Sequence, residues 1–190
     1  MLEDIIACHR CELHKQQPPL MDKAKTCQVM WVGLSAKIVS NDNEIPLAAT
    51  TNTGRIIYEV ERLCPQIVSY KTNLVKCAPV NKDGKLRYPN NNEISLCINH
   101  LNTELETFHP QIVFLLGDKV AKAVCAHLSI SYRKWSGFTY FPTEYQGGFY
   151  VPVQHPSYIY VYKQKQIGEY VDSLTKMIFA HIKKEEESLK

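Results

Sequence analysis

The chain has 190 residues, of which 45% are hydrophobic and 22% are charged, and its mean hydropathy is −0.25. This length and balance indicate one globular domain with a hydrophobic core and exclude the disordered and fibrous classes. The formal net charge of +3 and the pI near 8.4 permit nucleic-acid binding without requiring it.

The N-terminal residues and the cysteines predict the compartment. No basic segment followed by an apolar one opens the chain, and no apolar run is long enough to span a membrane. We therefore expect an intracellular protein, cytoplasmic or associated with the nucleoid, that is monomeric and has no membrane partner. In a reducing compartment the seven cysteines are expected to be metal ligands and core residues rather than disulfides.

The first third of the chain is predicted to contain a strand and a helix. Residues 1–26 form an N-terminal segment with a Cys-x-x-Cys pair and a polar connector, and this segment is expected to bind a metal centre. Residues 28–34 are a continuous apolar run, which is typical of a strand buried on both faces. Residues 35–51 predict a loop, and a helix is expected from an N-cap at Thr53 to Cys64, where a proline follows.

The middle of the chain predicts a second strand and a long helix. Residues 70–76 form the strand, and residues 81–89 form a basic, turn-rich loop. Asn90 and Glu93 have the spacing of a capping box, in which each side chain bonds the other residue's backbone N–H. The helix that they begin is expected to end near Phe108.

The last third completes an alternation of strands and helices. Its segments are a strand at 111–116, a helix at 118–128, a variable aromatic-rich region at 129–146, a strand at 149–153, an amphipathic helix at 165–184 and a charged tail at 185–190.

This alternation predicts the α/β fold class, as one domain over residues 1–190. The expected architecture is a three-layer α/β/α sandwich with a mainly parallel central sheet. In such sheets ligands bind beyond the carboxyl ends of the strands. The loop after Gly33, the amide of Asn73 and the imidazole of His155 are all expected at that edge.

Four cysteines form a candidate metal site: Cys8, Cys11, Cys77 and Cys97. Four thiolates suit either tetrahedral zinc or an iron–sulfur cluster. Zinc sites more often use two close pairs, and only one pair is close here. The alternative is that the first two are loop thiols and the others core residues. The three remaining cysteines lie in apolar runs and are expected to be inert and buried: Cys27, Cys64 and Cys125.

Several motifs occur in one order along the chain. They are Val32-Gly33, the sequence Thr-Asn-Leu-Val-Lys-Cys-Ala-Pro at 72–79, Glu93 with Cys97, residues 110–117 ending in Leu-Leu-Gly, and His155-Pro156-Ser157. With the order of the four cysteines, they make the chain resemble the iron–sulfur uracil-DNA glycosylases. The resemblance covers residues 8–174. It implies a four-iron, four-sulfur cluster on those cysteines and removal of uracil from DNA by cleavage of the N-glycosidic bond.

The resemblance also implies roles for two polar residues. Asn73 is expected to read uracil, because a carboxamide can accept from the ring N–H while donating to a ring oxygen, and cytosine offers the reversed pattern. The alternative for Asn73 is a cap on a strand end. His155 is expected to donate to the oxygen on which charge develops as the base leaves, although a His-Pro turn alone is a common feature.

DNA contacts are expected around the same edge. Ser157 and Tyr158 follow His155, and the bulky side chains of residues 158–160 suit a wedge in the stack that a flipped nucleotide leaves. The alternative for residues 158–160 is strand-like packing of alternating aromatics. Lys85 and Arg87 in the basic loop are expected to contact phosphates.

The loop after Gly33 departs from the family pattern. The family has an acidic residue that positions the attacking water and a phenylalanine that stacks on uracil. This chain has Ser40 at the first position and Leu47 at the second. Leu47 is apolar enough to cover a base but cannot stack as a ring does. The candidates for orienting water are then Asn41, Asp42 and Glu44.

Three hypotheses follow from this loop. The protein is an active uracil-DNA glycosylase, or an enzyme on the same scaffold that removes a different or modified base, or a catalytically weak or inactive member that binds DNA or a partner. Excision assays on uracil-containing and modified oligonucleotides separate them.

Overall fold

The helices and strands of the protein are described from a computed structural model, which covers residues 2–40 and 44–182. The elements in chain order are α1 (Leu2–Ile6), β1 (Val29–Ser35), α2 (Asn52–Leu63), β2 (Ser69–Val75), α3 (Asn91–Phe108), β3 (Ile112–Leu116), α4 (Asp118–Leu128), β4 (Thr143–Tyr145), β5 (Gly148–Val153), α5 (Pro156–Tyr162) and α6 (Ile167–His181). Short 3-10 turns occupy Glu12–Lys15 and Gln164–Gln166.

One sheet organises these elements, with strand order β2-β1-β3-β5-β4. The first four strands in this order pair in parallel, and β4 pairs antiparallel with β5 at the edge. Parallel neighbours need crossover connections, which the helices supply. The predicted three-layer α/β/α fold with a mainly parallel sheet is therefore confirmed.

The two faces of the sheet bury different side chains. On β1, Met30 and Val32 lie in a core with residues of α3 and α4. Val29 and Trp31 lie in a second core with residues of α2, α5 and α6, where Trp31 stacks on Phe114 at 4.5 Å between ring centroids. Side chains of a strand alternate between faces, so a continuous apolar run is what a strand covered on both sides requires.

The helix starts are set by local capping. At α3, Asn90 Oδ1 accepts from the Glu93 N–H and Glu93 Oε2 accepts from the Asn90 N–H, so the predicted capping box is confirmed. At α2 the expected N-cap Thr53 is wrong. Thr51 Oγ1 accepts from the Gly54 N–H at 3.0 Å, and the helix begins at Asn52.

Three short elements were not predicted, namely α1, β4 and α5. The strand-like alternative for residues 158–160 is wrong, because these residues lie in α5. Proline is favoured in the first turn of a helix, and Pro156 occupies that position with His155 as the N-cap.

The last helix, expected at 165–184, spans Ile167–His181, and the predicted tail at 185–190 lies outside the described residues. Within the described ranges, no helix is both long and apolar enough to cross a membrane.

Candidate functional site

A cleft of about 890 Å³ opens at the carboxyl ends of the parallel strands. Each parallel strand supplies lining residues at or just after its carboxyl end, among them Gly33 from β1, Asn73 from β2, Gly117 after β3 and His155 after β5. The structure thus brings together the residues that were expected at this edge. Leu47, Ser157 and Tyr158 line the same cleft.

The Asn73 carboxamide lies at the buried end of the cleft. The residue is only 2% exposed, and among residues 2–40 and 44–182 its buried acceptor Oδ1 has no hydrogen-bond partner. A buried acceptor left unpaired is unfavourable by about 1–3 kcal/mol. Asn73 therefore does not act as a strand-end cap through this oxygen, and Oδ1 is available to a donor on a ligand.

Gly33 and Leu47 enclose this amide. A Cβ added at Gly33 would overlap Asn73 Oδ1 and would come within 3.0 Å of Leu47 Cδ2, so only glycine fits between them. Leu47 has a positive φ of 52°, which places its half-buried side chain across the site. An apolar side chain therefore lies close to the Asn73 amide in the lining of the cleft.

The loop that carries Leu47 is fixed at both ends. At its start, the Gln17 side chain donates to Lys37 O at 3.0 Å and accepts from the Val39 N–H at 3.2 Å. At its end, the backbone of residues 47–48 lies directly against Gly54 of α2, where an added Cβ would overlap Ala48 O.

His155 is held in one orientation and one tautomer. Its Nδ1 accepts from the Ser157 backbone N–H at 3.3 Å and lies 2.8 Å from Ser157 Oγ. Because a backbone N–H can only donate, Nδ1 is the acceptor and the proton of the neutral ring lies on Nε2. Burial lowers the pKa of His155, so the neutral form is favoured near pH 7. The side chain therefore presents a neutral N–H donor.

The acidic candidates of the loop differ in their environment. Glu44 forms an ion pair with Lys37 at 2.6 Å and accepts from the Ser40 N–H at 2.9 Å. These contacts lower the pKa of Glu44, and the hydrogen bond from Lys37 has the largest effect. The Glu44 carboxylate therefore binds other residues of its own loop. Asn41 and Asp42, the other two candidates, lie outside the described residues.

Two of the three basic residues of loop 81–89, Lys85 and Arg87, were predicted to contact DNA, and the fold places them differently. Arg87 lines the cleft, but its guanidinium binds both carboxylate oxygens of Glu93, at 2.9 and 2.5 Å, and donates to the carbonyls of Val80 and Tyr88. Arg87 thereby holds the loop against α3. Lys85 is exposed on the loop and is not part of the cleft lining.

The four cysteines of the predicted metal site are neighbours. Burial, together with smaller effects of the charges of Cys97, Cys11 and Cys8, raises the pKa of the Cys77 thiol to about 12. His100 Nε2 lies 3.1 Å from Cys8 Sγ, and the Lys76 N–H donates to Cys97 Sγ at 3.4 Å. Among residues 2–40 and 44–182, no group of three or more His, Cys, Asp and Glu side chains is arranged to hold a metal ion.

Four thiols are the ligand type that both a tetrahedral zinc ion and an iron–sulfur cluster use. The chemistry of the donor set therefore fits either occupant. The remaining cysteines are buried in the two cores, as predicted.

A buried ion pair lies between the thiols and Asn73. Lys76 Nζ binds Glu104 Oε2 at 2.5 Å, Thr72 Oγ1 at 2.6 Å and the Asn73 carbonyl at 2.8 Å. The Tyr70 hydroxyl also donates to Glu104, at 3.1 Å. Both charged side chains are almost fully buried. The sequence analysis missed this network, since Lys76 and Glu104 are distant along the chain and no local pattern pairs them.

The comparisons with known proteins can be set beside this geometry. The sequence model of the Uracil DNA glycosylase superfamily matches residues 21–178. The chain belongs to this superfamily. It is 25% identical over 169 residues to the Type-4 uracil-DNA glycosylase of Sulfurisphaera tokodaii, an alignment that covers 87% of this chain and 68% of the relative. Both matches confirm the family resemblance in the sequence.

A solved structure shows the superfamily fold independently. The crystal structure of wild-type SMUG2 from Pedobacter heparinus superposes with a TM-score of 0.59 and 15% sequence identity, covering 82% of this chain and 76% of that one. The region that matches the superfamily model, residues 21–178, contains every lining residue of the cleft except Leu20. Cys8 and Cys11 lie before the matched region.

Proposed function

We propose that the protein is a DNA glycosylase that removes uracil, or a related base, from DNA by hydrolysis of the N-glycosidic bond. Membership of the superfamily supports a role on uracil-containing DNA. The observation that carries the proposal is the unpaired, buried Oδ1 of Asn73 in the same cleft as the neutral donor of His155.

Asn73 would select the base. Uracil carries a donor at N3 and an acceptor at O4, and the Asn73 amide matches both by accepting at Oδ1 and donating from Nδ2. Cytosine carries an acceptor at N3. This nitrogen would face the Asn73 Oδ1 acceptor, and neither atom would have a hydrogen-bond donor. Such a mismatch in a buried site is strongly unfavourable. The target base must first leave the helix stack to reach this amide.

His155 would stabilise the leaving base. As the N-glycosidic bond breaks, its electron pair passes to the base and negative charge develops at O2. A neutral N–H donor aimed at that oxygen stabilises the charge without giving up its proton. Water then adds to C1′ of the sugar and loses one proton, the departed base anion takes up a proton at N1, and the products are an abasic site and the free base. Asn41 and Asp42 remain the proposed residues for orienting this water.

Excision assays test the proposal directly. In a single-turnover assay, wild-type protein is expected to release uracil from a labelled oligonucleotide and to leave the matching cytosine and thymine oligonucleotides intact. Asn73→Asp is expected to lose this activity, because a carboxylate cannot donate to O4 and repels the developing charge. If the wild type releases no base from uracil-containing or modified oligonucleotides, the glycosylase proposal is wrong.

A binding module is the second candidate function. Ser40 stands where the family has its acidic residue, and the nearby Glu44 carboxylate is held by Lys37. Ser40→Glu separates the two candidates. In a weak glycosylase the added carboxylate should speed excision, whereas a binding module should gain no activity but should retain DNA affinity.

We also propose that Cys8, Cys11, Cys77 and Cys97 hold a four-iron, four-sulfur cluster. The neighbouring positions of the thiols and the family resemblance support it. When bound, the cluster would join the N-terminal segment to β2 and α3, a structural role. Zinc is the alternative occupant.

Colour and metal content test the cluster. Protein purified without oxygen is expected to be brown with a broad visible absorbance band, to contain iron and sulfide, and to lose both in Cys77→Ser. Cys125→Ala is the matched control, since Cys125 is a buried core thiol and its loss should leave the colour unchanged. Colourless, folded wild-type protein containing zinc would support the alternative.

Gly33→Ala is expected to abolish base reading while the fold persists. The added methyl group overlaps Asn73 Oδ1, so the amide must turn away from its position in the cleft. Excision should fall about 5- to 150-fold, since a misplaced polar partner in a buried site loses about 1–3 kcal/mol. Gly168→Ala is a control, because its added Cβ meets no atom within 4 Å. Equal excision rates for Gly33→Ala and wild type would show that Gly33 does not position Asn73.

A further inference from the structure

Two tyrosines stand exposed on the rim of the cleft. Tyr88 is 80% exposed and Tyr162 is 75% exposed, and both belong to the cleft lining. Large apolar groups that are exposed together commonly mark a binding surface. Neither residue takes part in base reading or in leaving-group stabilisation as derived above.

Tyr162 belongs to an apolar face of α5. Tyr158, Val161 and Tyr162 have the i, i+3, i+4 spacing that places side chains on one helix face, and all three are exposed and line the cleft. The rings of Tyr158 and Tyr162 are 5.5 Å apart at a tilt of 40°. This face therefore offers two adjacent flat surfaces to a ligand in the cleft.

Tyr88 is presented from loop 81–89 by several contacts. Arg87 donates to the Tyr88 carbonyl at 3.0 Å and is itself fixed by Glu93. Lys119 Nζ donates to the Pro89 carbonyl at 3.1 Å and lies 5.8 Å from the centre of the Tyr88 ring. The backbone of Tyr88 and Pro89 is therefore held in place, and the solvent-exposed ring has a positive charge beside it.

The combination of flat rings and cations favours one kind of occupant. Nucleic-acid bases stack on aromatic side chains, and nearby lysines attract the phosphates. Lys119 stands beside Tyr88, and the exposed Lys163 follows Tyr162 directly. A second copy of this chain would bring the same positive charges together, so a self-association surface fits less well.

We propose that Tyr88 and Tyr162 stack unpaired bases on either side of the flipped nucleotide, so that the protein binds single-stranded DNA more tightly than duplex DNA. The inference rests on the proposed function for the flipped nucleotide and extends it to the form of the substrate. In a duplex the flanking bases are already stacked and paired, so they cannot lie on a protein ring. An unpaired strand offers them freely.

Binding measurements with oligonucleotides that lack uracil test this proposal. Fluorescence anisotropy of labelled single-stranded DNA is expected to show about tenfold weaker binding for Tyr88→Ala and for Tyr162→Ala, the loss that one stacked base brings. Duplex binding should change much less. Tyr88→Phe should restore affinity, because it keeps the ring. Tyr58→Ala is the control, since Tyr58 is an exposed tyrosine of α2 outside this cleft.

Two results would overturn the proposal. One is equal affinity of the wild type for the single strand and the duplex. The other is single-strand affinity in Tyr88→Ala and Tyr162→Ala equal to that of the wild type, and a concentration-dependent dimer that these variants lose would then identify a second copy as the occupant. Because these oligonucleotides contain no uracil, the result does not depend on excision. An inactive protein can pass this test, and an active glycosylase can fail it.

Discussion

Replacing His155 with alanine is expected to lower the single-turnover rate of uracil excision by about 10²–10³, the usual effect of removing one preorganised donor to a developing charge. Affinity for DNA should stay close to that of the wild type, because the lost hydrogen bond strengthens only as the base leaves. Ser157→Ala provides a milder comparison. It removes the hydroxyl at 2.8 Å from Nδ1 but keeps the backbone N–H that fixes the tautomer.

The pH dependence distinguishes this role from proton donation. The lowered pKa of His155 keeps the ring neutral above the ordinary histidine value of about 6.5, so excision should not decline between pH 7 and pH 8 through this residue. A general acid acting through protonated histidine would lose activity over that same range. A rate that falls as pH rises from 6 to 8 and loses this dependence in His155→Ala would contradict the neutral-donor role.

Replacing Lys76 with methionine is expected to lower the free energy of unfolding by about 3–5 kcal/mol, because Glu104 is then left as an unpaired buried charge. Total stabilities of domains are about 5–15 kcal/mol, so this variant should unfold at a much lower urea concentration. The Asn73 carbonyl also loses its bond to Lys76 Nζ, and excision should therefore fall in the fraction that remains folded.

Two further variants control this experiment. In Lys76→Met with Glu104→Leu both charges are gone, and much of the stability should return, as is found when buried ion pairs are replaced by apolar residues. Arg62→Met breaks an exposed pair with Glu59 and should leave the urea midpoint nearly unchanged. If Lys76→Met unfolds at the same urea concentration as the wild type, the buried pair does not stabilise the fold.

Features that depend on neighbouring residues could be predicted from the sequence. The strand at Val29–Ser35 follows from a continuous apolar run, and the start of α3 follows from Asn90 and Glu93. The alternating pattern Tyr-Ile-Tyr in residues 158–160 was ambiguous, because only one turn of chain is too short to separate helix from strand. In the fold these residues are helical, and Pro156 at the first helical position favours that helix.

Features that depend on distant residues could not be predicted. Arg87 is predicted to contact phosphates because it lies in a basic loop, and the fold adds an ion pair between its guanidinium and Glu93. Glu93 carried a capping signal, and nothing in that pattern showed that the same carboxylate also binds an arginine. The position of the cleft could be predicted, since the carboxyl ends of parallel strands meet at one edge of the sheet. The exposure of Tyr88 could not be predicted, because it depends on how loop 81–89 folds back onto α3.

The loop between Val39 and Leu47 is fixed at both ends, which makes it suitable for replacement by a loop of another sequence. Gln17 holds one end through two hydrogen bonds, and Gly54 receives the other against the backbone of Ala48. Segments bounded by such contacts accept altered length and sequence better than packed elements do. Under the proposed function, we expect that loops of other superfamily members grafted between these two attachment points would change which bases the cleft accepts, while the sheet and the Asn73 amide stay the same.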